Sequence, residues 1–266
     1  MSIVERYTAE VMGTVASVQI VGAATAPQQV AEAVEACTAD LADLERIFSP
    51  FRPDSDISRL RRGACDLADA DPLVAEVSEE CVRWRERTRG AFRADWRGWF
   101  DPTGYVKGWA VERVARRHLQ PLCTQRRVIA AGINVGGDLQ VFTAPGESWR
   151  WRIGIADPRR AGHLAATLEI VDGAVATSGT AERGDHIVDP RTGESATSVC
   201  SASVVADSLT AADVWATAAC VYGMDDLSWI SHARTRSGIM MGAAGEVRRW
   251  SGAAEVVAWD GGPLAA

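Results

Sequence analysis

The spacing of apolar positions changes along the chain, and the change divides it into regions. Residues 8–21 alternate well enough to read as a strand, interrupted at Met12-Gly13. From Pro27 the period lengthens. Val30, Val34, Cys37, Leu41, Leu44 and Phe48 recur at three- and four-residue steps, so they share one face of a helix that the proline opens. Asp71-Pro72 starts a second helix with a stripe of Leu73, Val77, Cys81 and Trp84, and Gly90 follows its end. A third helix is expected from about Lys107 to Leu119, stopped before Pro121. Beyond Val128, segments 128–142, 149–156, 163–171, 174–177 and 199–205 are rich in Val, Ile, Ala and Thr. Gly, Pro and Asp separate them, which is the pattern of strands and turns. Helices are expected over 210–222 and roughly 225–234, then short strands around 237–242 and 245–250 and a frayed tail.

Helices, then strands, then helices imply an α+β fold, with a central mixed or antiparallel sheet flanked by helices. No internal repeat, low-complexity tract or linker divides the chain, so residues 1–266 are expected to form a single compact domain around one core.

Charge narrows the partners. A formal net charge of −7, with no Lys/Arg block, excludes nucleic acid or an anionic membrane surface as the main partner. If the ligand is polyanionic, a cation must be supplied locally, by a metal or by a few placed basic groups. There is no stretch of 18 or more apolar residues and no basic segment leading into an apolar run, so a cytoplasmic protein without a membrane span is expected. The cysteines at 37, 65, 81, 123, 200 and 220 show no C-x-x-C pair and are read as scattered thiols.

Four segments carry candidate chemistry. Thr177-Ser178-Gly179 is followed by His186-Ile187-Val188-Asp189-Pro190-Arg191-Thr192-Gly193. The last five residues make a good β-turn, and a plain hairpin connection is one reading of them. His186 supports another, because an imidazole beside a hydroxyl-rich loop can move a proton near neutral pH. Asp213 and Thr217, four residues apart, fall on one face of a helix as a carboxylate and hydroxyl pair suited to Mg2+. The alternative is that Asp213, three residues after Thr210, completes a helix cap. Asp101-Pro102-Thr103-Gly104-Tyr105-Val106-Lys107 is a glycine-containing turn running into a helix, able to offer amides and a cation to a phosphate. Gly132-Ile133-Asn134-Val135-Gly136-Gly137-Asp138 reads as a tight turn before a strand. His118, His163 and His232 have no partner pattern and are taken as surface or satisfied core residues.

In order and spacing these segments resemble the FAD:protein FMN transferase (ApbE-like) family. Met12-Gly13-Thr14, the block Phe48 to Leu60, Asp101 to Ala110, Asn134 to Asp138, Trp151 to Pro158, Thr177 to Gly193 and Ala212 to Gly223 carry the resemblance. It implies a flavin dinucleotide cleft in which Asp213, Thr217 and the carbonyl of Gly104 hold Mg2+. Asp101 and Lys107 would touch FAD, Met12 and Phe51 would pack its ring and nucleoside, and Ile187 would lie beside it, with His186 as the proton-transferring group. Ala91, Phe92 and Arg93 fall where the family contacts adenosine. There Arg93 stands in place of the family's usual Asp, and Ala94-Asp95-Trp96-Arg97-Gly98-Trp99 is inserted. The implied activity cleaves FAD, joins FMN through a phosphoester to a Thr or Ser of an acceptor protein with a D-x-x-[ST]-G-A-[ST]-like segment, and releases AMP. Metal-dependent hydrolysis of FAD to FMN and AMP, or non-catalytic FAD binding, are the alternatives that the residues leave open.

Overall fold

The alternation at the start of the chain is a hairpin rather than one interrupted strand. In the computed structural model, which describes residues 3–22, 26–180, 187–252 and 254–255, β1 (Val4–Val11) and β2 (Thr14–Val21) pair antiparallel with Val11 opposite Thr14. Met12 and Gly13, at φ 54° and 69°, form the turn. The long segment 128–142 divides in the same way into β3 (Ala130–Val135) and β4 (Asp138–Thr143). Gly136 and Gly137, at φ 58° and 95°, give the two positive values that a type I′ turn needs.

The other strands are β5 (Trp151–Ala156), β6 (Leu164–Ile170), β7 (Gly173–Ser178), β8 (Val199–Ala206), β9 (Ser237–Gly242), β10 (Val247–Ser251) and β11 (Ala254–Glu255). Of the eleven strands among the described residues, nine form a sheet in the order β1-β2-β3-β4-β7-β8-β9-β10-β11, antiparallel at every pairing, and β5-β6 is a separate two-stranded ribbon.

The α-helices among the described residues are α1 (Pro27–Phe48), α2 (Asp56–Arg61), α3 (Pro72–Arg87), α4 (Thr103–Val114), α5 (Gln120–Thr124), α6 (Leu209–Tyr222) and α7 (Ile230–Ala233). The α1 stripe is buried as its spacing requires, through Val30, Cys37, Leu41, Leu44 and Phe48. The short α2 has too few turns to show a period. It is set by Ser55, whose hydroxyl accepts the Ser58 amide at 3.1 Å. Two boundaries differ from the periodic reading. α4 begins at Thr103, a full turn before Lys107, because Asp101 Oδ1 accepts the Thr103 amide at 3.2 Å and its hydroxyl at 2.7 Å. Nor does the helix stop at Pro121: α4 passes into a π-helical stretch, Ala115–Leu119, and Pro121 then stands in the first turn of α5, where a missing N–H costs little.

Adjacent residues of the central strands serve two apolar layers. Ile20, Ala131, Ala174, Val204 and Met240 face the helices, whereas Val21, Ala130, Val175, Val205 and Met241 face Trp151, Ile153 and Ile155 of the ribbon. α6 is apolar on almost every side and buried accordingly, from Leu209 to Cys220. A polar group on such a helix needs a partner.

Candidate functional site

The start of α6 answers the cap reading of Asp213. Ser208 is the N-cap, its hydroxyl accepting the Ala211 amide at 3.2 Å. Glu112 of α4 does the remaining capping, accepting from Ser208 Oγ at 2.6 Å, the Thr210 amide at 2.9 Å and Thr210 Oγ1 at 2.7 Å. Burial pushes the Glu112 carboxyl up. The donors from Ser208, Thr210 and Arg116 outweigh burial and hold it below the ordinary 4.5. With the cap complete, Asp213 takes no part in it.

Asp213 is 4% exposed and faces α4, where Gly108 donates its amide to Oδ2 at 3.0 Å. The helices meet so closely that a Cβ on residue 108 would lie 2.8 Å from Asp213 Cβ and 3.1 Å from the Leu209 carbonyl. In regular helical geometry the amide of residue 108 faces the carbonyl of Gly104. Asp213 Oδ2 therefore approaches α4 at the turn that begins with Gly104. One turn along α6, Thr217 Oγ1 lies 3.1 Å from Ser178 Oγ at the end of β7. Gly179 must then be glycine, since a Cβ there would lie 2.1 Å from the Cys200 carbonyl.

Lys107 stands within α4 instead of at a turn-helix junction, and its Nζ lies 2.6 Å from Asp138 Oδ2. Asp138, the first residue of β4, is 1% exposed, and its Oδ1 accepts the Thr177 amide at 3.3 Å. The Met12-Gly13 turn, the Gly136-Gly137 turn and the end of β7 all lie at one end of the sheet, as the strand registers require. Glu45 near the end of α1 reaches the same place, its Oε2 accepting the Met12 amide at 2.9 Å.

Gly104, Lys107, Asp213 and Thr217 thus meet where α4, α6 and β7 join, with Met12 at the adjacent sheet end. Phe92 borders them, since a Cβ on Gly104 would touch its ring at 3.4 Å. Phe51, after the end of α1, is 93% exposed. Ala91 and Ile187 are buried. Arg93 is engaged locally, its Nε and Nη2 lying 3.1 and 3.3 Å from the carboxylate of Asp95. Asp101 faces Arg97 at 3.5 Å besides starting α4. His186 lies outside the described residues. The turn that follows it is fixed by Arg191, whose guanidinium pairs with Asp189 at 2.8 Å and lies 5.3 Å from the centre of the Tyr222 ring.

Gly108, Glu112, Asp138 and Ser178 belong to this junction, and no role was assigned to any of them from the sequence. A glycine inside a helix is a sequence signal for Gly108. Among the described residues no group of three or more His, Cys, Asp or Glu is placed to hold a metal. Asp213, Thr217 and the Gly104 carbonyl are hard oxygen groups of the kind that suits an ion which keeps several waters. The cysteines are free thiols, and burial pushes Cys37, Cys123 and Cys220 up to about 12, which makes them inert. A cavity of about 680 Å³ lies apart from the junction, under residues 94–100, lined by Arg61, Cys81, Arg85, Trp99 and Phe100 among others.

Fold and site together define an α+β protein with a buried carboxylate and a hydroxyl where two core helices meet one end of an antiparallel sheet. The chain belongs to the ApbE family, whose sequence pattern matches residues 12–96 and 97–240. It is 36% identical over 134 residues to the FAD:protein FMN transferase of Rhodobacter capsulatus, a stretch covering 47% of this chain and 24% of that protein. The match therefore spans about a quarter of that relative's length. The ApbE protein of Thermotoga maritima has a similar fold, with a TM-score of 0.77 at 21% identity over 93% of this chain and 97% of that one. The flavin transferase ApbE of Vibrio cholerae gives a TM-score of 0.70 at 19% identity over 94% and 97%. The apo flavinyl transferase ApbE of Pseudomonas stutzeri gives 0.74 at 19% over 93% and 95%. At these identities the likeness is one of fold. No helix among the described residues is long and apolar enough to cross a membrane.

Proposed function

We propose that the chain is an Mg2+-dependent FAD:protein FMN transferase, acting on an acceptor protein with a D-x-x-[ST]-G-A-[ST]-like segment. The observation that carries this function is the buried carboxylate of Asp213 held against α4 by the Gly108 amide, with Thr217 one turn along α6. Membership of the ApbE family and the partial match to a FAD:protein FMN transferase support it.

Asp213, Thr217 and the Gly104 carbonyl would hold Mg2+, which when bound draws negative charge from a pyrophosphate and orients it. A Thr217 hydroxyl that donates to Ser178 Oγ keeps its lone pairs for that role. Lys107 offers a positive charge to phosphate oxygens from the helix that carries Gly104. Met12 and Phe51 offer apolar surface to the ring and nucleoside, and Phe92 closes the side next to Gly104. The acceptor hydroxyl oxygen forms a bond to the FMN phosphorus as the bond from that phosphorus to the AMP oxygen breaks. AMP leaves with the electron pair, and the hydroxyl proton passes to His186. A correctly placed base contributes on the order of 10²–10⁴-fold.

The test is to incubate the purified protein with FAD, Mg2+ and an acceptor carrying the segment, then measure AMP and flavin fluorescence surviving denaturation on the acceptor. One AMP per attached flavin is the expected result. Free FMN with none attached overturns transfer in favour of hydrolysis, and no AMP at all overturns both.

A further inference from the structure

The carboxylate of Asp138 is buried at a point where the fold has no evident need of a charge. The β3-β4 turn beside it is closed by its two glycines and by Asn134 Oδ1, which accepts the Gly137 amide at 3.0 Å. Burying an ion pair is costly, and apolar residues of similar volume commonly replace one without loss of stability. Asp138 nevertheless keeps two separate contacts. Its Oδ1 takes the Thr177 amide, beyond the last β4-β7 ladder pair, Leu139 with Val175. Its Oδ2 lies 2.6 Å from Lys107 Nζ. The residue after Thr177 is Ser178, whose hydroxyl meets Thr217. One side chain therefore links the lysine of α4 to the strand end that orients the hydroxyl of α6.

We propose that Asp138 is a positioning residue of this site, acting through Lys107 to hold its ammonium against the junction of α4, α6 and β7, where a phosphate-bearing ligand is met. The ligand side of the proposal rests on the function given above. Lysine has four rotatable carbons and loses rotamer entropy when it is fixed. A buried carboxylate fixes it before the ligand arrives, which removes that cost from binding.

Asp138→Asn separates the two contacts, because it keeps the volume and an acceptor for the Thr177 amide but removes the charge opposite Lys107. The experiment is a double-mutant cycle in FAD affinity, followed by flavin fluorescence in the presence of Mg2+, with D138N, K107A and the pair. Each single change is expected to weaken FAD by about tenfold, the scale of one charge-assisted hydrogen bond. The double variant is expected to bind no more weakly than K107A, since Asp138 has nothing to position once the ammonium is gone. Wild-type affinity in D138N, or a double variant whose loss is the product of the two single losses, overturns the proposal while leaving the function intact. Failure of the unsubstituted protein to bind FAD overturns both. If D138N does not fold, the same cycle is run with Asp138→Glu, and additive losses again overturn the proposal.

Discussion

The α4-α6 junction and the segment 94–100 lie a few residues apart in sequence and solve different problems. At the junction the polar groups that join the elements find partners far along the chain: Gly108 with Asp213, Glu112 with Thr210, Lys107 with Asp138. In 94–100 and its flanks the charges are satisfied locally or by surface rings. Arg93 pairs with Asp95, Arg97 lies 4.7 Å from the Trp96 ring centre, and Arg61 lies 4.1 Å from that of Trp99. The second region lines the cavity of about 680 Å³, yet it gathers no set of hard oxygen donors. This cavity and the proposed site do not share a lining residue. Chemistry goes with close backbone approach and with polar groups fixed by packing.

Substitutions can break that contrast, and the largest effect is expected at Asp213. Asp213→Ala should lower Mg2+-dependent AMP release from FAD by on the order of 10³-fold, measured by chromatography at saturating FAD. Near-normal turnover would refute the metal assignment. Gly108→Ala comes next. Alanine would gain about 1 kcal/mol of helix propensity, but the added carbon meets backbone and Cβ atoms that cannot swing away. A net loss of about 1–2 kcal/mol in a urea titration is expected, and a stabilised variant would show that the helices can separate freely.

Glu112→Gln tests the clamp between the helices and should cost about 1–2 kcal/mol near neutral pH. Its pH dependence has a definite sign. The folded carboxyl lies below its ordinary 4.5, so the native state binds fewer protons there than the unfolded chain. The contribution is complete above that range and is lost as pH falls through the depressed folded value. Denaturant midpoints of the parent should fall toward those of the Gln variant on acidification, and a constant gap would contradict the assignment. The smallest effect is expected in the other region. Arg97→Ala removes an exposed charge and should change stability by no more than about 0.5 kcal/mol in the same titration.

The contrast also explains what could be read from the residues alone. Elements with a long apolar face were legible: the α1 stripe and the strands after Val128 appear near their periodic bounds. The turn at Gly136-Gly137 was legible from its glycines, whereas Met12-Gly13 read only as an interruption, because alternation continues across a two-residue turn. Asp213 and Thr217 could be paired because helical spacing sets them on one face. Gly108 could not be joined to Asp213, since 105 residues separate them and only the packing of α4 on α6 brings them together. The partners of Asp138 and Glu112 were hidden for the same reason. A buried carboxylate has no local signature when its partners belong to other elements.

The most direct test of the central claim is AMP production from FAD by the unsubstituted protein, with Mg2+ and again after the metal is removed by a chelator. AMP that forms with Mg2+, stops on chelation and returns on adding the ion back is what oxygen donors gathered at the α4-α6 junction require. AMP released at the same rate without any divalent ion would contradict it.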